Sequence, residues 1–231
     1  MGGQQPLAWI ALMRQILSSE SKCIDRELIT KHVEVLDLIS LEGTYAGIAG
    51  ELCFKSLLPL ALKALEGGAD LYEVSSLLNW KDFEELVSEY LRLSGYESIR
   101  NLRTKLRKYE YDVVAVDPVS RAGLIIDCKH WSPGYSKKGK LKYVAGEHKQ
   151  KCLYLVKQCQ QIKNEFRLIS KAKWFVPVIV TLTEVLRGNL EGVLVVPIRT
   201  FRDFLVNLEF YTDLMKTREY SLKIVNECYT V

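Results

Sequence analysis

Two short runs of β-branched and apolar residues, Glu110–Val116 and 124–129, stand on either side of a turn-forming stretch that holds Pro118 and Gly123. This pattern constrains the chain more than any other. It predicts a β-hairpin in which the second strand ends in charge. Side chains alternate along a strand, so Ile125, Asp127 and Lys129 share one face while Leu124, Ile126 and Cys128 share the other. A carboxylate and an ammonium at the end of an otherwise apolar strand are costly to cover unless they bind something.

Asp112 is likewise a carboxylate ahead of an apolar run, and antiparallel pairing can bring it beside Asp127. Two carboxylates a few ångströms apart repel, which raises one pKa unless a cation neutralises them. Hard divalent ions favour such oxygens, and the backbone carbonyl of Cys128 offers another. Lys129 on the same face is suited to orient a water or to neutralise charge developing on a phosphate. The Asp-x-Lys spacing alone is weak, since such a pair recurs by chance about once per one to two hundred residues and then forms an ordinary surface ion pair.

Around this hairpin the chain reads as α/β. From Leu7 to about Leu78 the periodicity is helical, which predicts a small all-helical N-terminal domain over residues 1–72. A helix-turn-helix could lie around Ile24 to Ile39, although the acidity of this region favours packing or dimerisation over DNA contact. Ser75 or Asn79 can cap a helix over Trp80–Leu93, with Gly95 just past its end. In that helix Trp80, Phe83, Val87, Tyr90 and Leu91 form the apolar stripe, Glu84 sits at its edge and Glu85 is the solvated neighbour. After the hairpin come a basic loop at 132–142, a helix at 145–170, strands at Trp174–Thr181 and 192–198, and a helix at 201–208. The order predicts one central mixed sheet between helices, over residues 73–211, followed by a C-terminal tail at 212–231.

No stretch approaches the roughly 20 apolar residues of a membrane span, and the first 20 residues resemble no export signal, so the expected location is cytoplasmic. The six cysteines show no zinc-ligand spacing and read as buried thiols rather than a disulfide framework. His32, His130 and His148 are too few to favour a histidine-based zinc site. Trp131 is expected to close the edge of the core. Residues 1–79 hold 6 Lys/Arg against 10 Asp/Glu, so of the net +4 the remainder carries +8. That asymmetry suits a polyanionic partner, or a solvated basic surface. The basic residues flank the hairpin: Arg100, Arg103, Lys105, Arg107 and Lys108 precede it, and Lys137, Lys138, Lys140 and Lys142 follow it.

The motifs Trp80-Lys81-Asp82-Phe83-Glu84, Ser94-Gly95-Tyr96, Tyr111-Asp112 and Leu124-Ile125-Ile126-Asp127-Cys128-Lys129-His130-Trp131, in this order, resemble the Mrr-type restriction-endonuclease-like nucleases, relatives of archaeal Holliday-junction resolvases. The similarity covers about residues 80–208. It implies a restriction-endonuclease-like core and a Mg²⁺- or Mn²⁺-dependent DNA endonuclease acting in repair, recombination or restriction. Glu84, Asp112, Asp127 and Lys129 would be its catalytic residues. Asp112, Asp127, the Cys128 carbonyl and, through water, Glu84 would hold the metal. Arg103, Lys105, Arg107, Lys137, Lys138, Lys140, Lys142, His148 and Gln150 would contact DNA. Asp127 occupies a slot where the family also uses Glu, and it replaces the Gln often found before Cys-Lys. Cutting both strands favours a homodimer, with the N-terminal region available to a protein partner. The rival reading is a catalytically silent DNA-binding or scaffold protein of the same fold. A nucleotide-binding enzyme would need a Gly-rich phosphate loop, which is missing.

Overall fold

The computed structural model describes residues 5–19, 21–29, 43–47, 50–104, 109–131, 137–162, 167–215 and 221–230. Its contacts divide the chain into two compact units, Met1–Leu86 and Val87–Val231, where the sequence suggests a boundary near 72.

The first unit holds helices α1 (Gln5–Ser18), α2 (Arg26–Ile29), α3 (Leu58–Glu66) and α4 (Leu71–Ser76). Strands β1 (Cys23–Ile24), β2 (Thr44–Ala46) and β3 (Leu52–Phe54) form an antiparallel sheet in the order β1-β3-β2. The expected all-helical domain is therefore mixed. Strands of two or three residues are too short to impose an alternating pattern on the sequence. α1 packs its Leu12, Met13 and Ile16 into the buried core, and α3 contributes Leu60, Ala61 and Ala64. Most of the suggested helix-turn-helix, from 30 onward, lies outside the described residues.

Helix α5 (Trp80–Leu93) has the expected bounds. Its start is fixed by Asn79, whose Oδ1 accepts from the N–H groups of Lys81 and Asp82 at 2.9 and 3.0 Å. Ser75 instead bonds back to Leu71 O inside α4. Gly95, at φ 89, supplies the left-handed residue past the end. Phe83, Leu86, Val87 and Leu91 are its buried apolar residues, whereas Trp80 is 57% exposed and so does not belong to the stripe. Asp82, not Glu84, is the buried first-turn acid, held by Ser56 Oγ at 2.9 Å and Asn79 Nδ2 at 2.7 Å.

The second unit is built on strands β4 (Glu97–Arg103), β5 (Glu110–Val116), β6 (Ala122–Lys129), β7 (Trp174–Thr181), β8 (Gly188–Leu190) and β9 (Val193–Pro197), in the order β4-β5-β6-β7-β9-β8. β4, β5 and β6 are antiparallel, while β6-β7 and β7-β9 are parallel. The sheet is thus mixed and flanked by helices, as expected. Parallel pairing of β6 with β7 requires a crossover, made by α6 (Lys137–Lys157), α7 (Cys159–Ile162) and α8 (Arg167–Ser170). α6 begins at Lys137, so Lys137 to Lys142 lie on a helix and not in the expected loop. Helices α9 (Phe201–Val206) and α10 (Leu208–Leu214) follow β9.

Cys152, Leu155 and Val156 of α6 pack against Ile125, Val114 and Phe175, and Leu141 and Ala145 pack against Ile179, Val193 and Val195. Trp131 joins this second cluster, closing the core as expected. Gly123 belongs to the same packing, because a Cβ there would stand 2.3 Å from the Phe175 ring.

Beyond α10 the chain returns to the sheet. β7 is longer than β9, and the ladder left open at Trp174 and Phe175 is taken by β10 (Ile224–Val225). Cys228, just after it, is disulfide-bonded to Cys159, and Cys23 to Cys53 across β1 and β3. Only Cys128 and Cys152 match the expectation of buried free thiols. Sequence separations of 30 and 69 residues leave no local pattern from which those two pairs could be read.

Candidate functional site

The hairpin opens where its charged residues begin. β5 and β6 pair from Val116↔Gly123 to Val113↔Ile126, and one further step of that register sets Asp112 opposite Asp127. At that step a side chain replaces the ladder: Asp112 Oδ2 accepts a hydrogen bond from the Cys128 N–H at 2.7 Å. On the other flank the β4-β5 register passes over Asp112, and Asn101, which would face it, adopts φ 51. Both irregularities leave Asp112 at a break in the sheet, where its carboxylate and that of Asp127 share the α6 face.

Lys129, two residues past Asp127 on that face, places Nζ 2.5 Å from Asp127 Oδ2, with side chains only 22% and 14% exposed. Burial, followed by the neighbouring charge of Asp127, pushes the Asp112 carboxyl up to about 6, against the opposing pull of the Cys128 N–H, Lys129 and Lys151. For Lys129 burial alone would disfavour the ammonium, but the charge and contact of Asp127, with Asp112, hold its pKa above the ordinary value. The pair of aspartates therefore carries more negative charge than one lysine balances.

Under the aspartates lies His148 of α6, 3% exposed, with Nε2 3.0 Å from Ile125 O and 3.5 Å from Cys152 Sγ. Burial holds its pKa down. The expected DNA contact by His148 is therefore corrected: the ring supports the site from inside. Its helical neighbour Lys151, not singled out in the sequence, reaches Asp112 electrostatically. The spacing from His148 to Lys151 and Cys152 was the available signal, once His148 is known to point inward.

Glu84 belongs to the first unit, half-buried on α5, and Glu85 is half-buried as well rather than solvated. Arg100 and Arg103 lie on strand β4, and Arg103 is exposed and paired with Glu110 at 2.9 Å. Lys140 stands 5.4 Å from the Trp131 ring centre, and Lys142 pairs with Glu191 at 3.3 Å. Gln150 is exposed on α6. Lys105, Arg107 and Lys108 lie outside the described residues, and Lys137 and Lys138 are described in backbone only.

The donor set fits a hard divalent cation. Two carboxylates, one with its pKa raised by burial and by the other, are an oxygen site short of positive charge, and Mg²⁺ needs only one or two protein carboxylates when water and phosphate complete its shell. Among the described residues, the grouping of three metal-type ligands is elsewhere, at Cys23, Glu51 and Cys53, and its sulfurs are joined in a disulfide.

A mixed sheet flanked by helices, whose antiparallel hairpin splits around paired carboxylates and a lysine, is consistent with a restriction-endonuclease-like fold. Residues 76–153 match the family Mrr_cat, "Restriction endonuclease", a match that supports a likeness to the Mrr-like restriction-endonuclease-like superfamily over that segment. Domains of this type generally use divalent metals. Among solved structures the chain is similar to the protein VC1899 from Vibrio cholerae, at 13% identity and a TM-score of 0.32 over 90% of this chain. It spans about half of that structure, 51%. No curated protein matches. Among the described residues no helix is long and apolar enough to cross a membrane.

Proposed function

We propose that this chain is a Mg²⁺- or Mn²⁺-dependent DNA endonuclease. The observation that carries the reading is the convergence of Asp112 and Asp127 at the open end of the hairpin, with Lys129 beside them. Asp112, Asp127 and the Cys128 carbonyl would hold the cation. A divalent ion there offsets the paired carboxylates and supplies Lewis-acid stabilisation of phosphoryl oxygens. Lys129 orients the attacking water and offsets charge developing on the phosphate. His148 keeps β6 in place through the Ile125 carbonyl, and Lys140, exposed on α6, holds the DNA backbone without reading sequence. A cytoplasmic role in repair, recombination or restriction, carried out by a homodimer, accompanies this reading.

The test is cleavage of linear, branched and single-stranded DNA by the full chain with Mg²⁺, Mn²⁺ or EDTA. Wild-type protein cuts at least one substrate in a metal-dependent way, and Asp127→Ala and Lys129→Ala each slow cutting by about a hundredfold or more. Cutting that persists in EDTA, or variants as fast as wild type, sinks the reading. DNA binding without cleavage under every condition would favour a silent scaffold.

A further inference from the structure

α6 carries two glycines one heptad apart, Gly139 and Gly146, although glycine weakens a helix relative to alanine. Neither is required by close packing. A Cβ at Gly139 would meet nothing within 4 Å, and one at Gly146 would meet only Glu191 Oε2, at 3.6 Å. What the glycines leave is a groove of about 680 Å³ along α6. Its far wall is the turn between β8 and β9, where Glu191 adopts φ 56 and is tied to α6 by Lys142 at 3.3 Å and by Lys149 Nζ on its carbonyl at 2.8 Å.

Tyr143 forms the near wall. It is 66% exposed, an unusual cost for a large aromatic on a helix, yet its hydroxyl donates to Glu147 Oε1 at 2.9 Å and so fixes the ring. Tyr109, three residues before Asp112, also lines the groove and is held edge-on against Tyr154, ring centres 5.1 Å apart. Lys151, whose charge is felt by Asp112, lines the same groove. The groove thus lies beside the start of β5 and the stretch of α6 that carries His148 and Lys151.

Its chemistry selects a base over a phosphate. Glu147 and Glu191 offset Lys142 and Lys151, so the lining has no net positive charge to attract a backbone phosphate. Carboxylates facing an aromatic slot suit the exocyclic amino groups of nucleobases, and every base has a face that stacks on tyrosine. A base in a helix-side groove is not paired within a duplex. We propose that the α6 groove takes an unpaired base of the DNA substrate, stacked on Tyr143, beside the scissile phosphate. This rests on the nuclease reading and narrows its substrate to DNA with unpaired nucleotides next to the cut.

The test titrates the full chain, in EDTA, into a blunt duplex and into duplexes of equal length with a short 3′ or 5′ single-stranded tail carrying 2-aminopurine. Wild-type protein binds one tailed duplex more tightly than the blunt one and quenches the probe. Tyr143→Ala loses about tenfold in affinity for that tailed DNA and most of the quenching, while Tyr143→Phe, which keeps the ring, retains both. Gly146→Leu fills the groove and behaves like Tyr143→Ala, yet melts no lower than wild type because it improves the helix. Wild-type tailed-to-blunt ratios in both Tyr143→Ala and Gly146→Leu would overturn the groove assignment. If such variants also leave metal-dependent cleavage intact, only this inference falls; if wild-type protein neither binds nor cuts DNA, the nuclease reading falls with it.

Discussion

At the scale of single residues, the site is a place where stability has been exchanged for charge. Asp112 has its carboxyl pushed up to about 6 by burial and by Asp127, so the folded chain resists its ionisation. A pKa raised on folding means stability is present below the unfolded value, near 3.8, and is lost as pH rises to about 6, after which the loss is constant. Asp112→Asn keeps an oxygen for the Cys128 N–H and removes the charge. In EDTA it should therefore stabilise the protein by roughly 2 kcal/mol at pH 8 and by little at pH 4, as read by urea unfolding. Equal effects at both pH values would show that the like-charge pair is relieved in some other way. Asp127 and Lys129 were legible in the sequence because strand alternation alone decides that residues two apart share a face. His148 was not, because only the packing of α6 decides which of its polar residues points inward.

At the scale of elements, β5, β7 and α5 appear at their expected bounds, since each has a strong period and clear punctuation. β4 was hidden, because an edge strand carrying Glu97, Arg100, Asn101 and Arg103 looks like a basic loop; those charges are also what keep an edge from pairing with another chain. The start of α6 was hidden by its glycines and lysines. The hairpin and the α8-β7 corner depend on Gly123, where Phe175 lies across the strand and a methyl added to the glycine would stand 3.0 Å from Ala172 Cβ. Gly123→Ala should cost about 2 kcal/mol, because the fully buried Phe175 ring has nowhere to retreat. Thermal melting checks this, and an unchanged midpoint would mean that the ring moves freely.

At the scale of the whole molecule, the last stretch of chain is part of the second unit rather than a separate tail. β10 completes the open edge of β7, Asn226 Nδ2 donates to the carbonyls of Ile169 and Ala172 at 2.8 and 2.7 Å, and Cys228 ties the segment to α7. Closing a loop of 69 residues restricts the unfolded chain, so Cys228→Ser should cost about 3 kcal/mol under oxidising conditions and nothing further once dithiothreitol is present. Denaturation curves with and without reductant measure it, and coincident wild-type curves would show that the bond does not form. By itself the sequence determined the hairpin, the shared face of Asp127 and Lys129, the helix ahead of them and the mixed sheet, because these follow from the local periods of two and 3.6 residues. Only the tertiary structure decided that the hairpin splits at Asp112, that His148 is buried, that α6 and the β8-β9 turn enclose a groove, and which cysteines meet. Those features depend on contacts between segments far apart in the chain, on which local pattern is silent.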